Sequence, residues 1–188
     1  MPHTILVAVV SHDGKIADAK GEQKMLTCEP DRQHLLKQMA ACDTQLYGYT
    51  TYAKFIAPLK RYRCIVATRK TASFEEIRPQ HYLWNPQSVS FTDVCQRVGA
   101  HSICLLGGSE IYSLAKREGW IDELSLSYVP NINLPGGIPL FNDIPDSKLW
   151  DALDSGKLGF TPTSKGHNIL PGCENFEFPL ELRTYKRI

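Results

Sequence analysis

Two short segments place glycine beside hydroxyl residues directly after an apolar run, a combination suited to an anionic ligand. In Leu46-Tyr47-Gly48-Tyr49-Thr50-Thr51-Tyr52 the glycine ends the run and threonines open a helical pattern. Backbone N–H groups at such a helix start have no helical acceptor, and with the helix dipole they form a seat for phosphate. In Leu105-Leu106-Gly107-Gly108-Ser109-Glu110-Ile111-Tyr112 the paired glycines let a ligand approach the main chain, and Ser109 can cap the next helix. A third segment, Thr68-Arg69-Lys70, offers two cations that can pair with a monophosphate. Each also has an ordinary reading as a turn, a cap or solvated charge. Neither glycine segment carries G-x-G-x-x-G, so the common dinucleotide fingerprint is missing.

The elements that must hold these segments can be read from the apolar pattern. Residues 5–10, 64–67 and 102–106 are continuous apolar runs, as expected of strands covered on both faces, and 44–47 is a less apolar fourth. Helical patterns lie at 30–39, 51–57, 90–98 and 109–117, the last stopped by Gly119. The first has Thr27 as its expected cap, Glu29 and Asp31 in its first turn, and Pro30 where proline is tolerated. Strand alternating with helix up to residue 129 predicts an α/β fold with a mostly parallel central sheet flanked by helices. Such sheets bind ligands beyond the carboxyl ends of their strands, the edge where both glycine segments fall. Further on, 130–139 reads as a Gly/Pro-rich loop and 182–188 as a terminal strand. Residues 149–179 lack a helical period, so a C-terminal antiparallel hairpin with a long loop is expected there, all within one domain spanning 1–188.

Composition sets the outer bounds. The chain has 188 residues, 43% of them hydrophobic and 22% charged, which excludes disorder, collagen-like repeats and membrane spanning. Twenty-one basic against 20 acidic residues leave a net charge of +1, too little for a broad nucleic-acid-binding field. The six cysteines form no C-x-x-C pair and have no nearby His pair, so neither a metal site nor a redox motif is expected from their spacing. The apolar N-terminus has no basic start and runs into His12-Asp13-Gly14, which reads as a first strand, with reduced thiols and a cytoplasmic location as the default.

Four ordered motifs between residues 5 and 141 carry a resemblance. Val10-Ser11-His12-Asp13-Gly14-Lys15-Ile16-Ala17 is similar to the S-x-D-G-K-I segment of the reductase domain of bifunctional riboflavin-biosynthesis deaminase-reductases. The stretch from Asp43 to Tyr52 resembles that family's D-x-x-x-x-G-x-x-T-Y. The Gly107-Gly108 block followed by Asp122-Glu123-Leu124, and the close at Gly136, Gly137 and Pro139-Leu140-Phe141, complete the match. The wider superfamily includes dihydrofolate reductase.

The resemblance implies a dihydrofolate reductase-like fold that binds NADPH and reduces a small heterocyclic substrate. It implies a cis Gly107-Gly108 peptide under the nicotinamide, and cofactor contacts at Gly48, Tyr49, Thr50, Thr51, Gly107, Gly108, Ser109, Glu110 and Ile111. Thr68, Arg69 and Lys70 would meet the adenosine 2′-phosphate. Asp31 falls where dihydrofolate reductases keep the carboxylate that anchors the pterin and assists proton delivery; acidic residues there also serve simply as dipole partners, and Glu29 is a rival. Ser11, Asp13, Arg61 and Arg63 are the substrate-binding candidates, the arginines as partners for a carboxylate or phosphate; Asp13-Gly14 also reads as a plain turn after the first strand. The Pro-Trp pair that usually precedes the dihydrofolate reductase acid is absent, and the S-x-D-G-K-I match favours the riboflavin-type reductase, whose substrate is an aminopyrimidine bearing ribose phosphate. Dihydrofolate, or a catalytically silent nucleotide-binding module, are the alternatives. The riboflavin-type likeness implies a homodimer through the sheet edge and the dihydrofolate reductase likeness a monomer, and the apolar residues do not choose between them; no nucleic-acid, membrane or metal partner is expected.

Overall fold

The computed structural model describes residues 1–59, 61–145, 147–163, 168–175, 177 and 179–188. In chain order the elements are β1 (His3–Ser11), β2 (Lys15–Ala17), α1 (Glu29–Ala41), β3 (Thr44–Gly48), α2 (Tyr49–Leu59) and β4 (Arg63–Ala67). Then follow β5 (Phe74–Arg78), β6 (His81–Trp84), α3 (Phe91–Val98), β7 (Ser102–Leu105), α4 (Ser109–Arg117) and β8 (Glu123–Val129). The chain closes with β9 (Ile138–Pro139), α5 (Leu149–Asp154), β10 (Phe160–Pro162), β11 (Asn168–Ile169) and β12 (Glu181–Arg187).

The main sheet has the order β10-β12-β8-β1-β7-β3-β4-β6-β5, with β11 pairing on β12. From β8 through β6 neighbouring strands are parallel, whereas β12 on β8, β10 on β12 and β5 on β6 are antiparallel. The expected mostly parallel sheet with a C-terminal antiparallel portion is therefore present. Residues 164–167, 176 and 178 of the expected hairpin segment lie outside the described residues.

The continuous apolar runs owe their character to cover on both faces. Along β1, Leu6 and Val10 face the cluster built with α3, α4 and α5, while Val7 faces the cluster under α1 and α2. Val9 points into a third cluster with Leu26, Leu134, Leu170, Cys173 and Leu180. Each fully buried side chain of this kind contributes roughly 1.5–3 kcal/mol of transfer free energy. Helix α3 is bounded by a Ser90 cap that accepts from Asp93 N at 3.1 Å and by Gly99 in the left-handed region.

Several local expectations are corrected. The α1 cap is Cys28, not Thr27; Thr27 instead donates its hydroxyl to Gln23 O at 3.4 Å. Helix α2 opens at Tyr49, two residues before the expected start. Ser109 is the first residue of α4 rather than its cap, and its hydroxyl goes to Asn142 Oδ1 at 2.6 Å. Helix α5 stands where no helical period was read, because six residues are too few to display one. The β5–β6 hairpin carries no Asn-Gly or Gly signal: Gln80, at φ 63°, makes the turn, with its N–H held by Glu76 Oε1.

Candidate active site

At the carboxyl edge of the parallel strands the main chain is laid open. Strand β3 ends at Gly48 and β7 at Leu105, and their registers align because Gln45 pairs with Cys104 and Leu46 with Leu105. The two loops leave these strands side by side. Gly48 N donates to Gly107 O, and Leu106 N donates to Leu46 O at 2.9 Å. A Cβ placed on Gly48 would lie 3.5 Å from Gly107 O and Gly108 N, and one on Gly108 would lie 3.5 Å from Thr51 Oγ1. No side chain can therefore fill the space between the loops without narrowing it. The Gly107–Gly108 peptide is cis.

Above them runs a cleft of about 1920 Å³, well beyond the roughly 300–1,000 Å³ of a site for one small ligand. Gly48, Tyr49, Thr50 and Thr51 line it from the start of α2, and Gly107, Gly108, Ser109, Glu110 and Ile111 from the start of α4. Thr68, Arg69 and Lys70 line it from the end of β4. All twelve residues expected around a cofactor thus border one groove. The first-turn N–H groups of α2 have no helical acceptor. Lys70 Nζ lies 3.7 Å from the centroid of the Tyr49 ring, fixing a cation beside that helix start. Thr68 is committed to the turn, since its Oγ1 accepts from Lys70 N at 3.1 Å. The donor set, backbone amides plus two cations around an open glycine floor, fits an extended phosphate-bearing ligand.

Helix α1 adds apolar side chains and a buried acid to the lining of the same cleft. Asp31, Leu35 and Met39 recur every four residues along α1 and so share the face that looks into the groove. Asp31 is 7% exposed. Burial raises its pKa above the ordinary carboxylate range, against an opposing hydrogen bond from the Ser127 hydroxyl on β8. One turn on, His34 Nε2 pairs with Ser125 Oγ at 2.9 Å, and burial, with Lys37 nearby, lowers the histidine pKa. Two serines, two apart on β8, thus anchor the first turns of α1. Glu29 does not line the cleft; it is ion-paired with Arg32 at 3.2 Å on the surface.

The four substrate-binding candidates divide. Arg61 lines the cleft, donating to Tyr62 Oη at 2.8 Å. Ser11, Asp13 and Arg63 do not line it. Ser11 Oγ donates to Asp13 Oδ1 at 2.5 Å and accepts from Lys15 N at 2.9 Å, while the Asp13 carboxylate accepts from Leu134 N at 3.0 Å. Arg63 Nη1 donates to Gly99 O at 3.0 Å. These polar groups are consumed in holding loops.

Sequence reasoning missed four contributors. Leu35 and Met39 read as core because their spacing is that of any buried helix face; their alignment with Asp31 was the available signal. Lys54 on α2 reaches Gly21 O at 3.1 Å, joining two borders of the cleft. Asn142 receives the Ser109 hydroxyl and donates to Glu110 Oε1 at 2.7 Å, pinning the start of α4; nothing in the local sequence marks it.

A mostly parallel sheet with an antiparallel C-terminal edge and a glycine-floored cleft across its carboxyl ends defines the dihydrofolate reductase-like fold. The comparisons agree. No protein-family model matches the sequence. The uncharacterized protein YwjB of Bacillus subtilis (strain 168) is 28% identical over 149 residues, covering 75% of this chain and 83% of YwjB. Among solved structures, a pyrimidine reductase-like protein from Corynebacterium diphtheriae superposes with a TM-score of 0.68 at 16% identity, over 100% of this chain and 92% of that one. RibD of Acinetobacter baumannii gives 0.71 at 16% identity over 100% of this chain, which spans 59% of the RibD chain. Dihydrofolate reductase from Enterococcus faecalis, complexed with NADP(H), gives 0.64 at 14% identity over 98% and 96% of the two chains. The fold is that of the reductase domains of RibD-type proteins and of dihydrofolate reductase.

Proposed function

We propose that this protein is an NADPH-dependent reductase of a small heterocycle, most closely an aminopyrimidine carrying a ribose phosphate. The observation that carries the reading is the joining of the Gly48–Thr51 and Gly107–Ile111 segments into one groove, whose lining also includes the buried acid Asp31. The first-turn amides of α2 would hold the pyrophosphate, and Arg69 and Lys70 the 2′-phosphate. The Gly107–Gly108 floor would admit the nicotinamide end close to the main chain. NADPH, when bound there, supplies a hydride.

The chain's own contribution is alignment, exclusion of water and proton management. Leu35 and Met39 offer a dry wall against which a flat ring can lie. Asp31, whose carboxyl retains its proton to higher pH than usual, can hold a proton at Oδ and exchange it with a ring nitrogen during turnover. Arg61, at the rim, suits the phosphate of the substrate. A second reading, reduction of dihydrofolate, draws support from the same Asp31 in the first turn of α1.

Titration with NADPH and NADH, followed by tryptophan fluorescence, tests the cofactor. NADPH should bind at least about tenfold more tightly, equivalent to about 1.4 kcal/mol, and the paired substitution Arg69→Ala/Lys70→Ala should remove that preference. Loss of reduced-nicotinamide absorbance with the aminopyrimidine, but not with dihydrofolate, supports the first reading; the reverse supports the second. Tight binding with turnover of neither would make the protein a silent nucleotide-binding module.

A further inference from the structure

The buried tyrosines differ in one respect. Tyr52 pairs with His81 Nδ1 at 2.9 Å, Tyr112 donates to Val7 O at 2.9 Å, Tyr128 pairs with His12 Nδ1 at 2.6 Å, and Tyr185 donates to Asp154 Oδ1 at 2.8 Å. Tyr47 is 3% exposed, and its buried hydroxyl has no hydrogen-bond partner among the described residues. Burying a hydroxyl without a partner costs free energy that a phenylalanine would not incur, so an orphan of this kind points to a partner outside the chain. Tyr47 stands directly before Gly48 at the end of β3, and it lines the cleft. It belongs to the apolar cluster that contains Met39 and against which Leu35, Leu36 and Tyr62 pack, and all of these line the same cleft. The Tyr62 hydroxyl accepts from Arg61 at 2.8 Å. Among the described residues, Tyr47 therefore supplies the one unpaired hydroxyl of this wall.

We propose that the Tyr47 hydroxyl is a specificity contact for the substrate, donating a hydrogen bond to a ring carbonyl oxygen of the heterocycle that lies against Leu35 and Met39. This role rests on the reductase reading above and gives the ring a second polar contact besides Asp31. Burial raises the Tyr47 pKa well above the ordinary phenol value, so the hydroxyl keeps its proton and acts as a donor at any working pH. A ring carbonyl is the matching acceptor, since its lone pairs lie in the plane of the ring. Both candidate heterocycles, the aminopyrimidine and the pterin of dihydrofolate, carry one. The hydroxyl is itself covered, so the ring reaches it by pressing into the wall. Met39, unbranched and adaptable, is the side chain of that cluster suited to yield. A donor set in an apolar wall discriminates sharply, because a ring that lacks the acceptor leaves the hydroxyl buried and unpaired in the complex.

The test is Tyr47→Phe, measured by calorimetric titration with the aminopyrimidine ribose phosphate and with dihydrofolate, by titration with NADPH, and by urea unfolding. Whichever heterocycle the parent binds should bind Tyr47→Phe about tenfold more weakly, the scale of one lost hydrogen bond. NADPH affinity should stay within about twofold, and the unfolding midpoint should be no lower than the parent's. Tyr52→Phe, which removes the hydroxyl paired with His81, should do the opposite, lowering the midpoint and sparing the heterocycle. Equal heterocycle affinity in Tyr47→Phe and the parent, a loss that falls on NADPH, or a lowered midpoint would each overturn the contact and leave the reductase reading standing. A parent that binds neither heterocycle would overturn both.

Discussion

The turn from Ser11 to Lys15 and the loop from Leu106 to Ile111 both follow a buried strand, and both are marked by glycine next to polar residues. They are used in opposite ways. In the first, polar side chains turn inward: Ser11, Asp13 and the amides of Lys15 and Leu134 satisfy one another. Gly14 at φ 82° lets the turn close, and its carbonyl accepts from Leu140 N at 3.0 Å. In the second, side chains are removed and backbone is offered to a cleft. The contrast teaches that a glycine motif can open backbone to a cleft even where its polar side chains are tied down, as Ser109 and Glu110 are by Asn142, whereas the same composition in the first turn closes on itself.

The largest effect should come at Asp31, the buried acid that lines the same cleft. Asp31→Asn should lower turnover by about 10²–10⁴-fold, the usual worth of a positioned acid, and leave NADPH affinity unchanged. It also has a signature in stability. Because burial raises the folded-state pKa of Asp31, the unfolded chain gives up this proton first as pH climbs. The native state is then penalised above the ordinary carboxylate pKa of about 4 and unpenalised below it. Thermal or urea unfolding should find Asp31→Asn more stable than the parent at neutral pH, the gain vanishing on acidification. A gain that persists at low pH would detach it from ionisation.

Next are the two adjacent glycines, which should fail differently. Gly108→Val adds bulk where a Cβ meets only Thr51 Oγ1 at 3.5 Å. It should keep the fold and weaken NADPH by at least about 100-fold, some 2.7 kcal/mol. Gly107 has φ 95°, and a Cβ there would sit 3.0 Å from the Tyr112 ring and hydroxyl. Gly107→Ala should therefore lose stability, by roughly 1–3 kcal/mol for the backbone conformation alone. Calorimetry paired with cofactor titration separates the outcomes.

The architectural turn should break in the complementary sense. Asp13→Ala strands the Leu134 amide and the Ser11 hydroxyl and should cost about 2–3 kcal/mol in urea unfolding, the scale for hydrogen bonds to a charged group. NADPH affinity measured well below the unfolding transition should stay within about twofold. A selective loss of substrate affinity without loss of stability would return Asp13 to the ligand.

Much of this was legible in advance, and the reasons are specific. The parallel strands declared themselves because burial on both faces leaves an unbroken apolar run, as in β1 and β4. The glycine-lined edge of the cleft was legible because the close approach of the two loops at Gly48 and Gly108 leaves room for no side chain between them, which sequence records directly. The Ser11–Asp13 pair was read as a substrate contact because a motif reports that residues matter together, without saying whether their partner is a ligand or residue 134, more than a hundred positions away. A shorter separation, 33 positions, hid Asn142 from Ser109 in the same way. Helix α5 and the β5–β6 hairpin were lost for a different reason: short elements fixed by tertiary packing display neither period nor turn chemistry.

The smallest effects should separate the two arginines that flank Tyr62. Arg61 stands at the cleft with its guanidinium on Tyr62, 4.9 Å from the ring centroid. Arg61→Ala should raise KM for a phosphate-bearing substrate by about tenfold while leaving kcat unaltered, the mark of binding energy common to ground and transition states. Arg63 is turned to the far end of the strand, where its guanidinium serves the Gly99 carbonyl that terminates α3. Arg63→Ala should move stability by no more than about 0.5 kcal/mol and KM not at all, as for other surface contacts. Steady-state kinetics on the pair thus ask whether a shift of two residues, from before β4 to its first position, converts a ligand contact into a helix-end contact. Equal KM effects would mean that the rim is wider than the cleft drawn by its lining residues.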